Sequence, residues 1–341
     1  LEDAVESLKY FMSLAYDRSR EIVPGVTLTF HDAGHILGSA IVVLDIEDRE
    51  EKRNLRLVFS GDLGRFDRPI IRDPFSIKEA DVLIMESTYG NRLHEDTDEA
   101  KGKLESVINE TCRSGGKVIV PSFAVGRTQE LVYNIRNLVE QGKTSDKLPV
   151  YVDSPLAIDV TRIYRFHPEA YDDEAYEIIL DGKNSDPFGF EMMRYTRTVT
   201  ESKELNRIDH PCVIISASGM AEAGRILHHL KNSIEDPSNT VLFVGFQAPN
   251  TLGRRILEKE PSVKILGREY RLNAKVAKMN GFSAHADKNE MHAWLSRFNR
   301  KPEKVFIVHG EEDAALSFAA SLKDIDFQDV KVPVPEETFL V

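Results

Sequence analysis

The spacing of apolar residues changes several times along the chain, and each change marks a new kind of element. Val5, Leu8, Met12 and Ala15 recur every three or four residues, one apolar stripe on a helix that must pack against something. Polar residues continue to Glu21, Pro24-Gly25 close this helix, and Val26-Thr27-Leu28-Thr29-Phe30 alternate as a half-buried strand does. Runs at Ile41–Ile46 and Leu55–Phe59, joined by the charged Glu47–Asn54, predict a hairpin with an exposed loop, and Val82–Met85 predicts a buried strand. From about residue 98 the rhythm becomes short apolar strand, Gly- or Pro-containing turn, amphipathic helix, which predicts βαβ units on a parallel sheet. Strands are expected at Lys117–Val120, Val150–Val152, Val213–Ser216 and Val241–Gly245, and helices at Thr128–Glu140, Ala157–Phe166 and Ala221–Lys231. The acidic, aromatic stretch from Pro168 to Pro187 has no period and reads as a helix-loop excursion. Beyond Gly281 come a helix around Lys288–Phe298, a strand at Val305–Val308 and a helix at Ala314–Lys323.

At 341 residues the chain is long enough for two domains, each with its own core. No run of about 18 apolar residues and no basic-then-apolar leader is present, so a cytoplasmic protein without a membrane span is expected. The first residue is Leu1 and the pattern opens inside a helix, so the beginning of a domain is expected upstream. Forty-four Lys and Arg against 56 Asp and Glu give a formal charge of −12, which argues against a uniformly basic coat for nucleic acid but leaves room for a basic groove. Cys112 and Cys212 are far apart in sequence and support neither a disulfide framework nor a cysteine zinc site.

Polar residues with chemical potential cluster just after predicted strands. His35 ends the string His31-Asp32-Ala33-Gly34-His35, Asp62 ends Ser60-Gly61-Asp62, and His309 begins His309-Gly310-Glu311, so oxygen and nitrogen ligands could converge on one sheet edge. Singly, each reads first as a loop residue capping a turn; placed alike after three strands, they carry more weight together. Glu86 leaves the Val82–Met85 strand and His285 lies in Phe282–Asp287, a carboxylate and an imidazole of the kind that make a general acid. The plain structural alternatives are a solvated edge for Glu86 and a helix cap for Asp287. Pro121–Thr128 and Ser218-Gly219-Met220 each join a strand to a helix, where free N–H groups could face a phosphate. Neither is a Walker loop, and the Gly-x-Gly-x-x-Gly fingerprint is absent. Arg127, Arg225, Arg254 and Arg255, with His228 and His229, could line a groove for a phosphodiester backbone, or Arg225, His228 and His229 could form the solvent face of a helix.

In their order, His31–Ser39, Ser60-Gly61-Asp62, Glu86–Gly90, Pro121–Gln129, Ser218-Gly219-Met220, Phe282–Asp287 and Val308–Glu311 resemble the β-CASP branch of the metallo-β-lactamase fold, a family of RNA-processing nucleases. The resemblance covers essentially the whole chain. It implies an α/β fold: a metallo-β-lactamase αββα sandwich, incomplete at the N-terminus, interrupted by an α/β parallel-sheet β-CASP cassette. The implied boundaries are residues 1–90 and 276–341 for the split domain and 91–275 for the cassette. By resemblance His35 and His309 would each bind one of two zinc ions, Asp62 would bridge both, and Glu86 would pair with His285, which would protonate the leaving oxygen. Ser122, Arg127, Ser218, Gly219, Arg225, His229 and Arg254 would face RNA or its phosphates.

The family's first metal motif, His-x-His-x-Asp-His, occurs nowhere in these 341 residues. By the family pattern each zinc then keeps one histidine and the shared Asp62, fewer than the three or so protein ligands of a stable site, so weak metal binding is expected of the chain alone. The favoured reading is a zinc-dependent ribonuclease acting on single-stranded RNA and lacking half of its ligands, with endonucleolytic and 5′-to-3′ exonucleolytic cutting both open. The second is a non-catalytic RNA-binding or scaffolding subunit. Retention of Asp62, Glu86, His285 and His309 together favours the first. Hydrolysis of a small ester is disfavoured by the long cassette, and a homodimer, common in the family, would cover exposed strands.

Overall fold

A computed structural model of the chain describes residues 2–48, 52–181, 185–279 and 281–341. In order, the elements of the first stretch are α1 (Glu2–Ser7), β1 (Ser19–Val23), β2 (Val26–Asp32), β3 (Ala40–Asp48), β4 (Arg53–Phe59) and β5 (Val82–Glu86). The middle of the chain carries α2 (Thr97–Arg113), β6 (Lys117–Pro121), α3 (Arg127–Glu140), β7 (Val150–Val152), α4 (Pro155–Phe166), α5 (Asp173–Leu180), β8 (Met193–Tyr195) and α6 (Val199–Leu205). It continues with β9 (Cys212–Ser216), α7 (Ile226–Ser233), β10 (Thr240–Phe243), α8 (Leu252–Leu257), β11 (Ser262–Ile265), β12 (Arg268–Arg271) and β13 (Lys275–Lys278). The last stretch holds α9 (Lys288–Leu295), β14 (Lys304–Val308), α10 (Glu312–Asp324) and β15 (Val330–Lys331). Among the described residues no helix is long and apolar enough to cross a membrane.

The chain divides into two compact units, one of Leu1–Asp67, Asp73–Leu93 and His285–Val341, the other of Arg68–Arg72 and His94–Ala284. The first unit has one mixed sheet in the order β1-β2-β3-β4-β5-β14-β15. Strands β1 to β4 pair antiparallel, while β4-β5, β5-β14 and β14-β15 are parallel. Alternation sorts the side chains by face. Ile41, Val43, Val58, Leu83 and Met85 are buried in one cluster with Met291 and Trp294 of α9 and Phe318 and Leu322 of α10. Phe30, Val42, Leu44, Leu57 and Phe59, offset by one position, are only half-buried. Of the two sheets expected in an αββα sandwich, the described residues form this one, with its helices.

Two expectations for this unit are corrected. The helix expected to run to Glu21 ends at Ser7, apart from a 3₁₀ turn at Leu8–Tyr10, and Val5, Leu8 and Met12 are exposed rather than packed. Ser19–Val23 is instead a strand, folded back on β2 through the Pro24-Gly25 turn with Glu21 opposite Thr27. The expected 41–46 and 55–59 strands extend until Asp48 faces Arg53, shortening the loop between them, part of which lies outside the described residues.

The second unit is built on a sheet in the order β13-β10-β6-β9-β7-β8, parallel at every pairing, with the β11-β12 hairpin beside it. Its strands are apolar on both faces: Val118, Ile119, Val120, Val213, Ile214, Ile215, Val241 and Leu242 are all buried, as in a sheet covered by helices on each side. Local chemistry sets the helix starts. Ser154 accepts from the Ala157 N–H at 3.2 Å with Pro155 in the first turn, and Thr198 and Glu201 form a capping box. The helix expected from Ala221 begins only at Ile226, because the Ser218 hydroxyl accepts the N–H groups of Glu222 and Ala223, both at 3.2 Å, and holds that stretch as a turn.

Candidate active site

Strand direction in the first unit assembles the site. Strands β2 and β4 are both antiparallel to β3, and β5 and β14 run parallel to β4, so all four end at one edge; Phe59 stands opposite Ile84 and Val308 opposite Glu86. The loops that follow carry His35, Asp62 and His309, and Glu86 is the last residue of β5. These loops pack too closely for ordinary side chains at two points: a Cβ on Gly61, whose φ is +58°, would lie 2.4 Å from the Ala40 carbonyl oxygen, and one on Gly64 would lie 1.9 Å from that of Gly34. The Gly64 N–H donates to the Ala33 carbonyl at 2.7 Å and the Ala286 N–H to the Leu63 carbonyl at 2.8 Å, which threads His285 into the same edge. Two residues later Asp287 caps α9, accepting from Asn289 and Glu290 N–H groups at 2.9 and 3.0 Å; it is a helix cap.

The sheet edge gathers His35, Asp62 and His285 into one cluster, with Glu86 behind His285 and with His309 against Asp62 but outside that cluster. Ligand atoms of His35, Asp62 and His285 lie within 4.8 Å of one another. His309 Nδ1 is 3.0 Å from Asp62 Oδ1, and the His309 and His285 rings are 6.0 Å apart. Glu86 is 2% exposed, not a solvated edge residue. One oxygen accepts from the Leu63 N–H at 2.5 Å, and both lie 3.0–3.1 Å from His285 Nδ1. Burial pushes the Glu86 carboxyl up, but the hydrogen bond and charge of His285, with Thr88 and the Leu63 N–H, outweigh it and hold the carboxyl below its ordinary value. A charged Glu86 fixes the His285 ring with Nδ1 inward, the carboxylate–histidine arrangement that orients a metal ligand or a general acid. Imidazole nitrogens and a carboxylate converging at this spacing are a donor set that suits zinc and similar divalent ions.

The residues expected to face RNA, all in the second unit, separate into two groups. Ser218, Gly219 and Arg254 lie on loops or helix starts beyond β9 and β10, and the Arg254 side chain is 41% exposed with Nε 2.6 Å from Glu258. The others are engaged in contacts within the unit. Ser122 is fully buried, its hydroxyl accepting from Thr128 at 3.1 Å. Arg127 is paired with Glu130 at 2.5 Å, and Glu130 is also bonded by Arg68. Arg225 meets Asp153 at 2.6 Å and donates to the Thr196 and Arg197 carbonyls, and His229 is fully buried with Nε2 2.7 Å from Asp153 and Nδ1 3.1 Å from Asn206.

Asp153, the hub of that network, escaped the sequence reading. It is fully buried, and the Ser202 hydroxyl donates to it at 2.5 Å besides the Arg225 and His229 contacts. Burial pushes its carboxyl up, and the hydrogen bonds from His229, Ser202 and Arg225 override that and leave it below the ordinary value. The signal was present: Val150-Tyr151-Val152-Asp153 is an apolar strand running straight into a carboxylate, as Leu55–Phe59 runs into Ser60-Gly61-Asp62.

The chain is similar to known proteins over most of its length. A Beta-Casp domain matches residues 128–256, and a Zn-dependent metallo-hydrolase RNA specificity domain matches residues 269–334. Ribonuclease TTHA0252 of Thermus thermophilus is 38% identical over 322 residues, covering 94% of this chain and 71% of that protein. An RNase J-like protein of Methanocaldococcus jannaschii is 34% identical, covering 97% of the chain and 74% of its relative. Transcription termination factor FttA of Methanosarcina mazei is 32% identical over 93% of the chain, which spans 50% of that protein.

Proposed function

The chain belongs to the β-CASP family of metallo-β-lactamase-fold RNA nucleases, and from that premise we propose that it carries part of a zinc-dependent ribonuclease site hydrolysing phosphodiester bonds in single-stranded RNA. The observation that carries this reading is the convergence of His35, Asp62 and His285 within 4.8 Å, with the buried Glu86 behind His285. His35, Asp62 and His309 are the residues that would hold metal. Zinc, when bound, supplies an acidified water and neutralises charge on the phosphate. The chain's own contribution to the chemistry is proton handling: with Nδ1 held by Glu86, a protonated His285 gives the proton on Nε2 to the leaving oxygen as the phosphorus–oxygen bond breaks. Glu86 keeps that ring in one tautomer and orientation.

The test is zinc content and cleavage of a single-stranded RNA, measured on the chain alone and with a polypeptide bearing the family's His-x-His-x-Asp-His motif. Cleavage that accompanies bound zinc and disappears with it in Asp62→Asn is expected; cleavage and zinc both unchanged in that variant would sink the assignment. A second reading rests on His285 standing inside the metal-sized cluster: there it is a ligand rather than an acid. His285→Ala separates the two, since an acid's removal abolishes cleavage and leaves zinc in place, whereas a ligand's removal lowers both.

A further inference from the structure

Two phenyl rings are exposed at the carboxyl edge of the second unit's sheet, with Val125 exposed beside the first. Phe123 is 49% exposed and Phe246 42%, while Val120, Ala124, Phe243 and Val244 around them in sequence are buried. Phe123 follows β6, one of the two adjacent strands between which the sheet reverses, and Phe246 follows β10, which pairs with β6. Strand β6 lies between β9 and β10; the chain leaves β6 through α3 toward β7 on one side, and leaves β9 through α7 to reach β10 on the other. In open α/β sheets the crevice beyond the strand ends at such a reversal is where ligands bind.

The mounting of the rings is specific. A Cβ on Gly219 would come within 2.7 and 2.8 Å of Phe123 Cδ2 and Cε2, so one side of the ring rests on the Gly219 backbone and any other residue at 219 would displace it. The Phe123 carbonyl accepts from the Thr128 N–H at 3.2 Å and its hydroxyl at 2.7 Å, which fixes the ring's base to the start of α3. The Gln247 amide donates to the carbonyls of Gly219 and Phe246, both at 3.1 Å, tying the second ring's backbone to the same glycine. Each phenyl thus stands on a fixed backbone and offers an apolar face with no hydrogen-bonding group. A nucleobase stacks on such a face without regard to its identity, and a single-stranded chain presents its bases for it.

We propose that Phe123, with Phe246 tied to it through Gly219 and Gln247, is a stacking platform for bases of single-stranded RNA. The proposal deepens the ribonuclease reading and rests on RNA being the ligand. It predicts sequence-tolerant binding in which the bases, and not only the phosphates, contribute.

Fluorescence anisotropy in the presence of a chelator tests it on the full chain, with labelled oligoadenylate and an abasic oligoribonucleotide of equal length as probes. The unmutated chain is expected to prefer oligoadenylate. Phe123→Ala should weaken oligoadenylate binding about 5- to 150-fold while abasic binding stays constant. Phe123→Trp should restore the preference, Phe246→Ala should reduce it less, and Gly219→Ala should reduce it by moving the ring. If Phe123→Ala binds both probes as the unmutated chain does, or loses both equally while remaining folded by circular dichroism, the platform is wrong and the RNA reading stands. If the unmutated chain binds neither probe, the RNA reading fails and takes the platform with it. A protein-docking face would show itself as RNA binding indifferent to all four substitutions, which also overturns the proposal.

Discussion

Each unit of the molecule holds a buried carboxylate against an imidazole at the end of a parallel strand, and the two pairs have opposite surroundings. Glu86 ends β5 and faces His285 Nδ1 at 3.0 Å; Asp153 follows β7 and faces His229 Nε2 at 2.7 Å. In both, burial pushes the carboxyl up and hydrogen bonding more than reverses it. The His285 side chain is 21% exposed and shares a cluster with His35 and Asp62, whereas His229 is 0% exposed and its second nitrogen is taken by Asn206. The lesson is that a carboxylate–histidine pair becomes available for chemistry through what the imidazole still faces. Closed on all sides, the same pair is a polar staple that orders α6, α7 and the end of β7.

The contrast can be broken or sharpened by substitution. Asp62→Asn is expected to have the largest effect, a fall in cleavage of at least about 10³-fold with loss of zinc, because it removes the carboxylate nearest both histidines of the proposed centre. Next, Asp153→Ala should cost about 3–5 kcal/mol of folding stability in urea unfolding, since it strands Arg225 and His229 beside a buried void. Zinc content should not change. Its acid behaviour follows from the sign of the shift: a carboxyl lower in the folded chain than its unfolded value near 3.9 contributes fully above that pH and is lost as the pH drops through the folded value. The variant's stability should therefore fall less steeply in acid than the parent's; an equal slope would show that Asp153 is not the titrating staple. The smallest expected effect is that of Glu86→Gln, a 10- to 100-fold loss of cleavage with zinc largely kept, since the amide preserves shape but no longer fixes the charged ring of His285. Should Glu86→Gln prove mainly a stability lesion, and Asp153→Ala mainly an activity lesion, the comparison is inverted.

The elements were legible where a short run of residues carries its own signal. Val82–Met85 and Val150–Val152 are apolar runs bounded by polar residues, and both are buried strands. Helix α2 passed unread because it is polar overall, although Ala100, Leu104, Ile108 and Thr111 are buried at helical spacing. Strand β1 was misread because nothing inside Ser19–Val23 distinguishes a strand from a polar helix end; its pairing with β2 decides it. His229 and His285 could not be ranked from their neighbours in sequence, since the burial of one and the access of the other are set by partners 76 and 199 residues away.

Side-chain period and residue identity alone show which residue types stand at the ends of which strands, the change of rhythm to a parallel sheet, and the order of strings that identifies the family. These are local properties: side-chain period, turn chemistry and residue identity act over a few neighbours. Only the tertiary structure decided that β14 lies beside β5 and β5 beside β4, which carries His309 to Asp62, and that Ala286 bonds Leu63, which brings His285 to Glu86. It also decided that Asp153 gathers Arg225 and a fully buried His229 while Phe123 is left exposed. The reason is that strand order and burial are chosen by hydrogen-bond pairing and packing across the whole chain, where residues far apart in sequence compete for the same few neighbours.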